Sequence, residues 1–323
     1  MNEFLAGILS GINTVVNNYG WSIVVFTLLI KLILFPLDYR SRKSMRRMSS
    51  LQPQIARLQT KYANDKEKLN QKTAELYRKE KINPLSSCLP MLLSFPVLIW
   101  MFAAMRVVAN TALANQAIDF ITTGQQTNES WLWVKNLWMP DSPFATMIAD
   151  QMNLKQIPAD IWTKVFAALP QAKLDVLAGL NITAETINGD TIFTVLSQSA
   201  TYEAEMARWA TLPELNLLIT KLPIYANING WFLLPVLASV TQFLMSATQQ
   251  TTPTEGANAG TGKFMKYFFP IFSLYICSSY NAGFSLYWVA SNLIAWGQTV
   301  VLNKYFDAKE QKAKEAVGEG TVK

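Results

Sequence analysis

Five apolar runs are long enough to be helices that cross a membrane. They cover residues 21–37, 88–108, 231–247, 267–280 and 282–302. Trp or Tyr stands near many of their ends, a distribution typical of segments that end at the surfaces of a bilayer. One such run can belong to a buried core helix, but five in a chain of 323 residues favour membrane spans. The sequence therefore predicts an all-α membrane protein with five transmembrane helices.

The composition argues against redox, metal and acid–base chemistry. Of all residues, 50% are hydrophobic and 15% are charged, and there is no histidine, the commonest general base and metal ligand. The two cysteines, Cys88 and Cys277, both lie in apolar runs rather than in a CxxC spacing. We therefore expect no catalytic residue, no cofactor and no metal ion, and we do not expect an enzyme.

Basic residues are distributed unevenly among the polar segments. Residues 38–87 carry 13 Lys and Arg against 5 Asp and Glu, whereas residues 109–230 carry 6 against 11. Because cytoplasmic segments of membrane proteins are enriched in Lys and Arg, we expect 38–87 inside and 109–230 outside. The N-terminus is then outside, and the loop 248–266 and the basic tail 303–323 are cytoplasmic. This topology accounts for the net charge of +6, so DNA is not an expected partner.

The first 20 residues are mildly amphipathic and contain one charged side chain, Glu3. A secretory signal peptide has basic residues before its apolar stretch and a small-residue cleavage site after it. This segment carries no Lys or Arg. We therefore expect an interfacial helix over residues 1–20 rather than a cleaved signal peptide.

The segment 38–87 has the apolar period of two helices. Its stripes consist of residues at helical spacing: Leu51, Ile55, Leu58 and Tyr62 in the first, and Leu69, Thr73 and Leu76 in the second. Pro53 is expected at the start or at a kink of the first helix, and Asp65 is a candidate N-cap of the second. We predict a charged cytosolic helical hairpin that docks anionic lipid, ribosomal RNA or a partner protein. A solvated connector is the alternative.

The external segment 109–230 has two parts. The first includes "WLWVKNLWMPDSPFATMI", in which three Trp lie close to a Pro-Asp-Ser-Pro turn, a pattern typical of the membrane surface. The second, residues 149–229, is polar, acidic and compatible with short helices. We expect an external, mostly helical insert that forms a small subdomain, and no catalytic constellation stands out in it.

Lys31 is a cation inside the apolar run 21–37, where insertion scales assign a cost of about 2.5–3.5 kcal/mol to such a charge. Its α-carbon is roughly 10 Å from the cytoplasmic end of the run, at about 1.5 Å per residue. From this spacing alone two readings stay open. The side chain either snorkels to the inner surface or lies in a hydrated groove within the membrane.

Four sequence blocks resemble the YidC-type membrane insertases. They are "YGWSIVVFTLLIKLILFPLDYRSRKSM", "NPLSSCLPMLLSFPVLIWMF", "GWFLLPVLASVTQFLMSATQQ" and "FFPIFSLYICSSYNAGFSLYWVASNLIAWGQ", in the order and spacing of that family. The resemblance covers residues 18–143 and 230–305. It implies a bundle of five helices around a polar groove that is open to the cytosol and to lipid but closed on the outside.

The resemblance also implies an activity and partners. Members of the family take hydrophobic segments of new proteins from the ribosome or the Sec translocon and release them sideways into the bilayer. The expected partners are nascent membrane proteins, the ribosome, the Sec translocon and the lipid bilayer, and the signal recognition particle machinery is a further candidate. The expected location is the inner or plasma membrane of a bacterial cell.

Five residues match groove positions of that family. Lys31 occupies the place of a groove cation that is mostly arginine among the relatives, so the charge is kept while the planar guanidinium is not. Gln242 and Trp288 match positions that face the groove. Ser291 and Asn292 follow from the "LYWVASN" block.

The sequence departs from the larger members of the family. It shows no extra N-terminal helix and no large periplasmic domain, and so resembles the short, five-helix, Gram-positive form. The insert after Pro143 has no counterpart in the family pattern. The main alternative function is a small-molecule transporter or lipid scramblase in which Lys31 binds an anionic substrate, although the sequence lacks the coupling carboxylates and paired broken helices of transporters. A scaffold that helps other membrane proteins assemble is compatible with insertion.

Overall fold

The computed structural model describes residues 2–80, 85–208, 215–217, 220–248 and 259–319, and these are mostly helical. The helices in chain order are α1 (Asn2–Val16), α2 (Tyr19–Ser50), α3 (Gln52–Lys61), α4 (Lys66–Lys79), α5 (Leu85–Thr123), α6 (Gln151–Lys155), α7 (Ala159–Ala167), α8 (Gln171–Gly179), α9 (Gly189–Leu196), α10 (Ala200–Glu205), α11 (Leu233–Thr248), α12 (Ala259–Ser279) and α13 (Ala282–Glu319). Two short antiparallel strands, β1 (Leu215–Leu217) and β2 (Thr220–Leu222), pair with Leu215 opposite Leu222. The expected all-α architecture is thus modified by one short hairpin within the insert.

The chain divides into two compact units, each of which is described by itself. The first unit consists of Met1–Phe26, Ile99–Ala238 and Ser273–Val289. The second unit consists of Thr27–Leu98, Ser239–Phe272 and Ala290–Lys323. Five of the described helices, α2, α5, α11, α12 and α13, contribute residues to both units.

Each of the five predicted spans overlaps one helix. Two helical stretches in the described part of the chain are long and apolar enough to cross a membrane, Tyr19–Ser50 and Pro96–Thr123. The helix that contains the predicted span 88–108 continues to Thr123. Of the predicted loop 248–266, residues 249–258 lie outside the described residues, whereas 259–266 belong to α12 and are helical rather than loop. Residues 81–84 of the predicted hairpin segment and the last four residues of the tail also lie outside the described residues.

The helices α3 and α4 form a hairpin within the second unit. Pro53 stands in the first turn of α3, where its missing N–H is tolerated. Asp65 caps α4, because its carboxylate accepts a hydrogen bond of 2.9 Å from the backbone N–H of Lys68. Pro53 thus stands at the start of the helix rather than at a kink, and the predicted N-cap at Asp65 is confirmed. Leu51 and Ile55, from the first predicted stripe, are buried.

The described part of the insert is built from the short helices α6 to α10. Capping boxes at Asp150 and Asn188 fix the starts of α6 and α9. Gly189, at the start of α9, lies so close to the backbone carbonyl of Leu154 that a Cβ atom has no room. The two helices therefore approach to backbone contact. Buried apolar side chains form the core between the helices: Leu154, Ile157, Ile161, Trp162, Val165, Leu177, Ile182, Ile187, Ile192 and Leu196.

Candidate functional site

Four polar side chains share one face of helix α2 in the second unit, which begins apolar and becomes basic after Leu37. Their intervals of four, seven and four residues are those of a single helical face: Thr27, Lys31, Asp38 and Arg42. Thr27 is buried and Lys31 is half-buried, whereas Ile33 is 74% exposed. An acidic side chain on the same face, Asp38, lies seven residues or about two helical turns further on. The cation thus lies on the more buried side of a helix whose other side is apolar and exposed.

A second polar position joins α11 and α13 in the same unit. The side-chain amide of Asn292 donates a hydrogen bond of 3.3 Å to the hydroxyl oxygen of Thr241, which is buried at 5% exposure. Gln242 and Ser291 are the chain neighbours of this pair, and both are half-buried. Three of the five predicted groove residues therefore lie at or beside one contact between two helices.

Further along α13, two polar atoms are buried without a hydrogen-bond partner. They are Nε1 of Trp296 and Oε1 of Gln298. Buried polar groups in proteins are nearly always satisfied, either by the protein or by water. This part of the helix consequently has the polarity to bind water molecules.

Trp288 belongs to the first unit. Its ring is 9% exposed and packs edge-on against Phe284, with 5.6 Å between the ring centroids. Its indole N–H is buried and has no hydrogen-bond partner. The aromatic ring therefore serves packing within this unit.

The structure places the five predicted site residues in different surroundings. Asn292 is joined to α11 directly, but the hydrogen bonds of the described residues include none between Lys31 and the other four predicted residues. Sequence reasoning missed Thr27, which shares the face of Lys31, and Thr241, which pairs with Asn292. The spacing of Thr27, Lys31 and Asp38 was a readable signal. Nothing in the sequence pairs residues 241 and 292.

In the first unit, residues 130–143 form a segment that we name the capping loop. The backbone N–H groups of Ala282 and Gly283, at the start of α13, donate to the carbonyl oxygens of Met139 and Leu137 at 2.9 and 2.8 Å. The first N–H groups of a helix have no partner within the helix, so such contacts fix where it begins. The capping loop thereby determines the start of α13.

Asp141 of the capping loop fixes the start of α11. Its carboxylate is buried and accepts hydrogen bonds from the backbone N–H groups of Phe232 and Leu234, at 3.2 and 2.7 Å. The indole N–H of Trp133 donates to the same carboxylate at 3.1 Å. Gly230 lies against Asp141 with no room for a Cβ atom. A negative charge at a helix N-terminus is stabilised by the helix dipole as well as by these donors.

A pair of buried asparagines closes the capping loop on the end of the insert. The backbone N–H of Asn136 donates to the side-chain oxygen of Asn229 at 2.7 Å. The side-chain amide of Asn229 donates in return to the carbonyl oxygens of Asn136 and Pro140, at 2.9 and 2.8 Å. Both asparagines are 0% exposed. This pairing brings residue 229 back beside residue 136 after the long insert.

Acidic and sulfur ligands are not grouped in the part of the chain that the structure describes. It contains no cluster of three or more His, Cys, Asp or Glu that could hold a metal ion. Cys277 is buried, and the side chain of Cys88 lies outside the described residues. The polar groups described above can bind water and polar segments, and they do not form a nucleophile with a base.

Curated relatives of the chain carry one common name, membrane protein insertase YidC. The chain is similar to that of Fusobacterium nucleatum subsp. nucleatum, with 47% identity over 106 residues, 33% of this chain and 52% of the relative. It is similar to that of Aromatoleum aromaticum, with 40% identity over 171 residues, 50% of this chain and 28% of the relative. A relative from Leptospira interrogans is 26% identical over 91% of this chain and 32% of its own length.

The chain thus spans about half the length of the Fusobacterium relative and less of the others. A comparison with protein families gives a match that covers most of the sequence, over residues 11–186 and 190–310. The four sequence blocks that suggested the resemblance lie within these ranges. The chain belongs to the 60Kd inner membrane protein family.

Proposed function

We propose that this protein is a membrane protein insertase, which moves hydrophobic segments of new proteins from the ribosome or the Sec translocon into the bilayer. The observation that carries the proposal is the polar face of α2, on which Lys31 is half-buried within the apolar stretch 21–37 of the helix. The names of the curated relatives support the same activity. It requires no covalent chemistry.

The proposed site is a hydrated groove bounded by five membrane-spanning helices, α2, α5, α11, α12 and α13. Its side chains are Lys31, Gln242, Trp288, Ser291 and Asn292. The buried polar atoms of α13 and the Asn292–Thr241 hydrogen bond support a polar interior. An intramembrane cation is expensive unless it meets water or an opposite charge, and it marks a functional site by default.

The proposed mechanism lowers the barrier for a polar flank that enters the bilayer. Water and amide groups in the groove give the flank hydrogen-bond partners part of the way across, where hydrocarbon has none. The ammonium of Lys31 attracts an acidic flank. The apolar part of the incoming segment leaves sideways into lipid.

The proposed topology has the N-terminus outside and the C-terminus in the cytoplasm, so that the α3–α4 hairpin is cytosolic. Between its helices lies a cleft of about 460 Å³, lined by Gln54, Arg57, Leu58, Lys72, Glu75, Leu76 and Lys79. Three of these side chains are cationic and two are apolar. This surface supports docking of the ribosome or the signal recognition particle machinery, which present anionic groups.

A substitution series at Lys31 tests the groove. Lys31→Arg should keep activity, Lys31→Ala should slow insertion of clients with acidic external flanks about fivefold, and Lys31→Glu should slow it more. The fivefold effect corresponds to about 1 kcal/mol of attraction in a water-like medium. The measurement is insertion of such clients by protein reconstituted in liposomes, with protein levels matched.

The double variant Lys31→Ala/Ile33→Lys is the matched control. It keeps the charge of α2 but moves it to a position that is 74% exposed in the structure and points to the other side of the helix. It should not restore insertion. Equal insertion by Lys31→Ala and by the unchanged protein would contradict the groove and favour a lysine that only anchors the helix at the surface. Uptake of small anions that depends on Lys31, without client insertion, would favour a transporter.

A further inference from the structure

A tight turn at the start of the capping loop presents an unsupported apolar side chain. The backbone groups of Trp131 and Val134 bond each other in both directions, at 2.9 Å each. Leu132, at the tip of the turn, has a φ of +48°. This is the left-handed region of the backbone, which residues other than glycine rarely adopt. Its side chain is 65% exposed. The turn is therefore held by its backbone hydrogen bonds and not by packing of the Leu132 side chain.

The turn is attached to the first turn of α2. The ring of Trp131 packs edge-on against Trp21, with 5.6 Å between the centroids. Gly20 lies against the ring of Trp131 with no room for a Cβ atom. The side-chain amide of Asn18 donates to the carbonyl oxygen of Ser130 at 3.2 Å. These contacts fix the position of the turn relative to the first turn of α2.

The same turn is also linked to the start of α11. The ring of Trp133 contacts that of Trp131 and donates its N–H to Asp141, the residue that caps α11. Trp231 precedes that helix and is 66% exposed, and Trp21 at the start of α2 is 50% exposed. Three exposed apolar side chains, Trp21, Leu132 and Trp231, thus stand where two apolar helices begin.

We infer that Trp21, Leu132 and Trp231 form a wedge that inserts into the lipid of one bilayer surface. Tryptophan is enriched at that surface because its ring is apolar while its N–H remains polar. Elements that lie in this zone reach about 5–10 Å below the headgroups. Lys135 follows the turn with an exposed side chain, and its ammonium is suited to a lipid phosphate.

Lipid is the occupant that these observations favour over a protein partner. The turn adjoins the start of α2, which is long and apolar enough to cross a membrane, and the chain belongs to a family of inner membrane proteins. A bilayer covers any apolar tip at that level without a specific partner. The inference goes beyond the proposed insertase function, because an anchor at the end of the spans serves any activity of the groove.

Fluorescent labelling in liposomes tests the wedge. Leu132→Cys is labelled with a polarity-sensitive probe in a chain that carries Cys88→Ala and Cys277→Ala. Met152→Cys, on α6 of the insert and 69% exposed, is the matched control with similar exposure. Lipids with a nitroxide near the headgroup should reduce emission at position 132 about twofold and leave position 152 nearly unchanged. Dissolved iodide should quench the probe at position 152 strongly and the probe at position 132 weakly.

Quenching at position 132 by iodide, without an effect of the nitroxide lipids, would overturn the inference because the turn would then lie in water. Protection from both quenchers would also overturn it, since a protein surface would then cover the turn. The readout needs no client and no insertion. Failure of the Lys31 series and failure of the wedge are therefore distinguishable.

Discussion

The insert (residues 149–229) and the helix α2 bury opposite kinds of side chain. In the insert, Leu154 and Ile192 are 0% exposed, and the charged side chain of Lys164 is 64% exposed. In α2, Ile33 is 74% exposed and Lys31 is half-buried. An exposed apolar side chain is unfavourable in water and favourable in hydrocarbon. The two regions are therefore folded for two different solvents.

The difference also determines which interactions give each region a unique structure. In water, burial of the apolar core drives the insert together. In lipid, an apolar helix gains little by contacting another apolar helix, so packing and a few polar contacts must select the partners. If α11 and α13 cross the membrane as proposed, the Asn292–Thr241 hydrogen bond is a contact of that kind, and Asp141 of the capping loop acts at the start of α11.

The largest effect is expected from the loss of Asp141. Asp141→Ala leaves the N–H groups of Trp133, Phe232 and Leu234 without their acceptor in a buried place. We expect the free energy of unfolding to fall by about 2–4 kcal/mol, because each unsatisfied buried donor is costly. Thermal unfolding in detergent micelles should show a melting temperature lower by several degrees.

Asp141→Asn is the matched control, since it keeps the shape and one acceptor while it removes the charge at the start of α11. Its melting temperature should fall between those of the unchanged protein and Asp141→Ala. An unchanged melting temperature for Asp141→Ala would mean that the capping loop does not hold these helix starts.

Stability of the insert should depend on pH, because the side chain of Tyr202 is buried in its core. Burial raises the pKa of Tyr202 to about 12, from an ordinary value of 10.0. Because the folded pKa is the higher one, this contribution to stability is complete below about pH 10. It is lost as the pH rises towards 12, by about 2.7 kcal/mol in total for a pKa that differs by about two between the folded and unfolded states. Tyr202→Phe should therefore make the insert less sensitive to alkali.

Ultraviolet titration of tyrosinate provides the measurement for Tyr202. The difference between the unchanged protein and Tyr202→Phe should be one tyrosine that ionises near pH 12. In denaturant the same difference should move to about pH 10. A difference already centred near pH 10 in the folded protein would show that Tyr202 is in contact with water.

A smaller effect is expected where two helices of the second unit meet through charges. Arg46 of α2 forms ion pairs with Asp307 and Glu310 of α13 and lies over the ring of Phe306 at 5.8 Å. Both carboxylates are more than half exposed, so we expect Arg46→Ala to cost only about 1 kcal/mol. The loss of melting temperature should shrink at high salt.

Arg46→Lys separates charge from geometry. Lysine keeps the charge but lacks the planar fork that binds two carboxylates, so it should recover less than half of the loss. In a double-mutant cycle, Glu310→Ala should have little further effect once Arg46 is replaced. Full additivity of the two substitutions would show that the ion pair contributes nothing measurable.

The sequence predicted local features better than distant pairings. Hydropathy and helical period predicted the helices of the spans, the α3–α4 hairpin and the N-cap at Asp65, because each depends on neighbouring residues. The pairing of Asn136 with Asn229 joins residues 93 positions apart, and no period reports such a contact. The strands β1 and β2 were missed for a related reason, since three residues are too few for an alternating pattern.

In the candidate site, too, the local feature was predicted from the sequence and the long-range contact was not. Lys31 stood out because a cation in an apolar run is costly, and its half-buried position on a polar face of α2 is a property of one helix. The contact of Asn292 with Thr241 depends on how α11 packs on α13. Helix packing follows from the shapes of many side chains together, which the pattern of a single helix does not contain.

The smallest effect is expected from removal of most of the insert. Thr146 and Ile228 form an antiparallel bridge where the chain enters and leaves it, so their α-carbons are only about 5 Å apart. A short flexible linker in place of residues 149–227 can span that gap. The deletion removes the ion pairs of Lys164 with Glu3 and of Lys173 with Asp119, the first of which is exposed on both sides.

The shortened protein should therefore fold, keep its melting temperature within a few degrees and insert clients at a rate within about twofold of the full chain. Asn229→Ala in the same shortened protein is the control, because it keeps the linker but breaks the closure on Asn136 and Pro140. It should lose stability by about 2 kcal/mol. Aggregation of the shortened protein would contradict the independence of the insert from the helical spans. The core of the insert would then be needed to hold the capping loop in place.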